Sequence, residues 1–61
     1  MYNVGDLLQD IEDGSLALVL EIRHSELYAA PVSYKLLFES GVTIWLASGI
    51  IYYYFDRVSN L

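Results

Sequence analysis

The sequence predicts an all-β fold, a small five-stranded antiparallel barrel. Three observations carry that expectation. From Ser15 to His24 the chain has a side-chain period of two, with Leu16, Leu18, Leu20 and Ile22 on one side and Ala17, Val19, Glu21 and Arg23 on the other. Short apolar runs rich in β-branched and aromatic residues recur along the chain, separated by Asp-Gly, Ser-Glu, Ser-Gly and Ala-Ser-Gly punctuation. Helical periodicity does not extend beyond a few residues.

The elements follow in order. Tyr2 to Leu8 reads as a first strand, with Gly5 marking a bend or a close backbone approach. Gln9 to Gly14 is an acidic loop closed by Asp13-Gly14, a pair that favours a turn with positive φ. Ser15 to His24 is the second strand, and Ser25-Glu26 a turn. Tyr28 to Glu39 is the third strand, interrupted around Ala29-Ala30-Pro31 because proline brings no N–H to a ladder. Within it Tyr34, Leu36 and Phe38 share one face and Ser33, Lys35, Leu37 and Glu39 the other. Ser40-Gly41 fits a two-residue hairpin. That register sets Leu36 opposite Trp45 and draws Trp45 inside, leaving Leu37, Ile44 and Leu46 outside. A three-residue loop slips the pairing by one and brings Ile44 inside instead. The first register is preferred because Trp45 has the larger apolar area. Ala47-Ser48-Gly49 turns the chain, as one turn of 3₁₀ helix, into a last strand from Ile50 to Phe55. Residues 56–61 are expected as a frayed tail of a single domain spanning 1–61.

Four stretches, "NVGDLL", "DGSLALVLEI", "YKLLFESG" and "IWLASGII", together resemble the SH3-like small barrels of the Tudor and KOW type. The shared outline is a VGD-like start, a patterned second strand, a third strand ending in aromatic-acidic-x-Gly, and an aromatic in strand four. The resemblance implies a five-stranded SH3-like barrel with a short 3₁₀ turn before the last strand. It also implies peptide or RNA recognition, since Tudor-type barrels hold methylated side chains in aromatic cages by cation–π attraction. Tyr2, Tyr28, Tyr34, Trp45 and Tyr52 are the rings available, with Tyr28, Tyr34 and Trp45 as the alternative recognition site. The chain is also similar to short open reading frames of marine bacteriophages, which implies an accessory or virion role in a host cytoplasm. It departs from the barrel outline at Ala17, where a glycine is usual, and in its YYYF ending.

Composition narrows the partners. Eight carboxylates stand against Arg23, Lys35 and Arg57, a net charge of −5. Phosphate-backbone binding draws on clustered cations, so neither nucleic acid nor an anionic membrane surface is expected as a partner. A basic partner protein, with the chain acting as a nucleic-acid mimic, is the charge-complementary alternative. The uncharged run Gly41–Phe55 has 15 residues, below the roughly 20 that a spanning helix needs. No basic region precedes an apolar run at the start, so a signal peptide is not expected. The absence of cysteine fits a cytoplasmic location and removes disulfides and thiolate metal sites as staples.

The apolar fraction of 56% exceeds the ~45–50% of ordinary domains, while a chain this short buries only about 60% of its unfolded surface. In a last strand, Ile51, Tyr53 and Phe55 would point away from Ile50, Tyr52 and Tyr54, so one apolar set is left uncovered. The expected consequence is a homo-oligomer. Its interface would lie on the outer face of the C-terminal strands, through Leu37, Ile44, Leu46, Tyr53 and Phe55.

Nothing in the sequence points to catalysis or to a cofactor. His24 is the single histidine, and Glu21 or Glu26 nearby would not complete the three or four ligands a metal site needs. Asp6, Asp10, Glu12 and Asp13 lack the spacing of a calcium loop. Ser15, Ser33 and Ser48 lack the strand–turn–helix setting of an activated nucleophile, and there is no glycine-rich phosphate loop. A small non-enzymatic interaction module is the expected function.

Overall fold

The computed structural model describes residues 2–27 and 30–60. Five strands form one antiparallel sheet: β1 (Asp6–Asp10), β2 (Leu16–His24), β3 (Pro31–Phe38), β4 (Thr43–Ala47) and β5 (Phe55–Asn60). A seven-residue α-helix, α1 (Ser48–Tyr54), joins β4 to β5. The strand order is β4-β3-β2-β1-β5. β1 to β4 are therefore successive hairpins, and β5 returns to lie beside β1.

The barrel expectation fails on closure. β4 and β5 are the two edges of the sheet and do not pair, so the sheet is open. The expected 3₁₀ turn and final strand are overturned as well, because Ser48–Tyr54 is α-helical and only Phe55 of the YYYF run enters a strand. Packing overrides β-propensity here. A strand would carry Tyr53 to the same side as Ile51 and Phe55, whereas the helix lets Ile51 and Phe55 enter the core while Tyr53 turns out to solvent, 72% exposed. The helix has no side-chain cap at Ala47. At its other end the Phe55 N–H donates to the Ile51 carbonyl, and the Tyr54 carbonyl accepts the Ile11 N–H at 2.9 Å. The residues expected as a frayed tail are strand β5 instead, since 56–60 satisfy the backbone of β1 along its second side.

The core lies on one face of the sheet. Leu8, Ala17, Val19, Tyr34, Leu36, Ile51 and Phe55 are buried, with Tyr2, Ile22, Phe38 and Leu46 packed against them. Val19 pairs with Leu36 but Glu21 pairs with Lys35, so Leu20 is an extra residue, a β-bulge. The bulge inverts the alternation of β2. Before it Ala17 and Val19 face the core, and after it Ile22, opposite Tyr34, does. Gly5 adopts φ +94 and donates its N–H to the Val19 carbonyl at 2.9 Å, the expected close backbone approach. Gly14, in the Asp-Gly turn, has φ +79 as expected.

The β3–β4 hairpin takes the slipped register. Leu36 stands opposite Ile44 and Lys35 opposite Trp45. Glu39-Ser40-Gly41 is a three-residue loop, with the Phe38 N–H donating to the Val42 carbonyl and the Gly41 N–H to the Phe38 carbonyl, both at 2.9 Å. Gly41 at φ +90 supplies the left-handed residue that such a loop uses. Trp45 is thereby placed outside, against the sequence expectation. The loop's preference for glycine in the left-handed region outweighs the area gained by burying one indole.

Candidate interaction surface

The outer face is ordered in rows. Ser59, Leu7, Leu18, Leu37 and Thr43 stand opposite one another in turn across all five strands. Leu7, Leu18 and Leu37 form an apolar row at its centre, half-buried among themselves, with Leu16 and Leu20 beside Leu18 along β2. A shallow groove of about 380 Å³ runs along Leu7, Leu16, Leu18 and Leu37. One row over, Glu21, Lys35 and Trp45 are aligned. Lys35 Nζ lies 3.4 Å from Glu21 Oε2. The Arg23 guanidinium sits 4.6 Å from the centroid of the Trp45 ring, a cation–π contact that shields part of the indole.

A second groove, of about 390 Å³, opens at the hairpin end between Leu16, Phe38, Ser40, Val42 and Ile44. Ile44 in its wall, directly opposite buried Leu36, is still 40% exposed.

The aromatic residues divide by location. Tyr2, Tyr34 and Tyr52 meet ring to ring at centroid distances of 5.7–6.1 Å. The Tyr34 and Tyr52 hydroxyls are hydrogen-bonded to each other at 2.6 Å, and the Tyr2 hydroxyl donates to the Phe55 carbonyl at 3.1 Å. Burial, then the bond to Tyr52, pushes the Tyr34 phenol up to about 12, since ionisation would strand a charge away from water. Burial also raises Tyr2, with the Asp56 carboxylate adding to it. This cluster packs the corner where the N-terminal segment, β3 and α1 meet, and its rings face one another. Tyr53 and Tyr54, with centroids 4.7 Å apart, sit on the exposed side of α1.

The residues expected to form the interface do not share one face. Leu37 lies on the outer face. Ile44 and Leu46 lie on the inner face, Leu46 against the core. Phe55 is buried in the core, and Tyr53, 72% exposed, is on the helix. Of the alternative recognition site, Tyr28 lies outside the described residues. Tyr34 is fully buried, and Trp45 projects from the opposite face of the sheet. Tyr34 and Trp45 therefore cannot line one cage. His24 is exposed at the end of β2. The carboxylates of the 10–13 loop serve local turns: Asp10 accepts the Glu12 N–H and Asp13 the Ser15 N–H, each at 2.8 Å. The bonds from Ser15 hold Asp13 below the usual carboxylate range. Among the described residues no group of three or more His, Cys, Asp or Glu is placed to hold a metal ion.

Two features escaped sequence reasoning. Asp6 is a buried carboxylate, with Oδ2 accepting the Asn3 N–H at 2.8 Å and lying 3.9 Å from Arg57. Arg23 covers Trp45. The first had a signal in the sequence, an aspartate directly after the Gly5 bend. The second had none, since it depends on the hairpin register.

Comparison with family models, curated proteins and solved structures finds no match. The resemblance to Tudor and KOW barrels and to phage reading frames thus has neither barrel closure nor homology behind it. No helix among the described residues is long and apolar enough to cross a membrane.

Proposed function

We propose that this chain is a small non-enzymatic interaction module that associates with further copies of itself through uncovered apolar surface. The supporting observation is the mismatch between core and composition. The buried apolar set is small, whereas Val42, Ile44, Trp45, Ile50 and Tyr53, all within the uncharged stretch 41–55, stand exposed. The leucine row of the outer face adds to it. Soluble monomers seldom carry contiguous apolar surface beyond a few hundred Å². A chain of net charge −5 repels its copies except where charge is absent, which favours contact through residues 41–55. Sedimentation velocity from about 5 µM to about 1 mM, a range spanning micromolar to millimolar Kd, tests the proposal. A sedimentation coefficient that rises with concentration is expected. A constant monomer value throughout overturns it.

A further inference from the structure

We infer that the self-association proposed above, on which this inference rests, runs through the open edge of β4, which pairs antiparallel with β4 of a second copy to make one continuous ten-stranded sheet.

The two edges of the sheet are not equivalent. β5 is protected as edge strands usually are. It carries exposed Asp56 and Arg57, and its pairing with β1 shifts register between Leu7 and Leu8, a bulge that leaves Val58 unmatched. β4 has none of these devices. Its sequence, Thr-Ile-Trp-Leu-Ala, has no charge, proline or bulge, and its pairing with β3 is regular throughout.

The hydrogen-bond phase of β4 follows from one bond. The Val42 carbonyl accepts from Phe38 on β3. Backbone groups in an antiparallel strand alternate in direction, so Ile44 and Leu46 also turn theirs toward β3. Thr43 and Trp45 then turn both N–H and C=O to the open edge, where no further strand of the sheet lies. An antiparallel pair of β4 strands with Ile44 on the two-fold axis sets Thr43 of each copy opposite Trp45 of the other. Four hydrogen bonds form, and all the outward groups of Thr43 and Trp45 are satisfied. A register centred on Trp45 would instead call on the carbonyl of Ala47, the helix N-cap residue, whose C=O accepts the first bond within α1.

The occupant is a second copy because this edge is self-complementary and lies in the uncharged part of a strongly acidic chain. The carboxylates of the 10–13 loop lie beyond β2, on the side of β1 and β5. The area sets the strength. Trp45 exposes 40% of a ring system of ~200 Å². With Val42, Ile44 and the edge backbone, each copy contributes a few hundred Å², a total below the ~1,200 Å² of standard specific interfaces and in the range of weak, transient ones. A reversible dimer with Kd on the order of 100 µM is the expected result.

Thr43→Pro tests the pairing. It removes an outward N–H without touching any bond to β3, and edge positions accept proline. Sedimentation is expected to show association weakened at least about tenfold, while Val58→Ser on the opposite edge strand, β5, leaves it within about twofold. In the unmodified chain, amide exchange at Thr43 and Trp45 is expected to slow about fourfold between 20 µM and 1 mM, as the monomer fraction falls from about 0.8 to about 0.2, a readout that does not depend on a variant folding. If the chain dimerises while Thr43→Pro dimerises equally well, or while these two amides exchange at the same rate at both concentrations, the β4 pairing is overturned and self-association stands. A monomer at every concentration overturns both.

Discussion

Tyr34→Phe isolates the energetic role of one buried phenol. At neutral pH the substitution removes the 2.6 Å bond to Tyr52, whose hydroxyl, on a half-exposed side chain, turns to water instead, and the weaker 3.4 Å bond that the Tyr2 N–H donates to the same oxygen. The expected loss is about 1 kcal/mol. At high pH the sign reverses. The Tyr34 phenol rises from 10.0 to about 12 in the folded chain, so between those values the unfolded chain has released this proton and the folded chain still holds it. The contribution is fully present below pH 10 and is lost as pH rises through 12. Two units correspond to a ceiling of about 3 kcal/mol. Because the hydroxyl abuts solvent-accessible Tyr52, screening reduces the expected share to about 1–2 kcal/mol. A 61-residue domain has a total stability of about 3–9 kcal/mol, so the effect is measurable. Urea titrations followed by far-UV circular dichroism at steps from about pH 8 to about pH 12 read it directly. The unmodified chain should start more stable and lose its lead as pH rises. A gap that stays constant across the whole range would refute the assignment of the shift to Tyr34 burial.

Three further substitutions follow from the packing. Leu36→Ala, at a fully buried position at the centre of β3, should cost about 2–5 kcal/mol and leave the chain largely unfolded by thermal melting. Gly41→Ala meets no atom within 4 Å of the added Cβ, so its cost is that of left-handed backbone alone, about 1–2 kcal/mol by urea titration. Asp6→Ala leaves the Asn3 N–H without its acceptor, while Arg57, half-exposed, stays solvated. A loss of about 1–3 kcal/mol is expected, and Asp6→Asn, which keeps an acceptor oxygen, should recover part of it.

Much of the sheet was legible because its signals are local. The Leu16–Arg23 alternation marked β2, Asp13-Gly14 marked its turn, and Tyr34, Leu36 and Phe38 are inward as their spacing indicated. The errors arise from contacts distant in sequence and, for Trp45, from the length of one turn. Leu20 as a bulge is invisible in the alternation, because the Leu-to-Ile run stays apolar on both sides of the break. The placement of Trp45 hinged on one residue of loop length, where glycine geometry competed with buried area. Ile50 to Tyr54 have the composition of a strand, and the helix is what lets Ile51 and Phe55 enter the core while Tyr53 between them stays outside. The candidate surface was legible as an excess of apolar residues and not as a set of positions. Which residues remain outside is decided by register, bulge and helix, and the interface expected at Leu37, Ile44, Leu46, Tyr53 and Phe55 inherited errors in all three.

The return of β5 to β1 bears on the order in which the chain assembles. Every other ladder joins neighbours in sequence, whereas Asp10 and Phe55 are 45 residues apart. Closing that span costs entropy before its first bond forms. The four-strand meander is therefore the early structure, and the final strand zips on last, carrying Phe55 into a hydrophobic layer that is already half built. Destabilising changes in β5 should accordingly hasten unfolding while leaving the refolding rate nearly untouched.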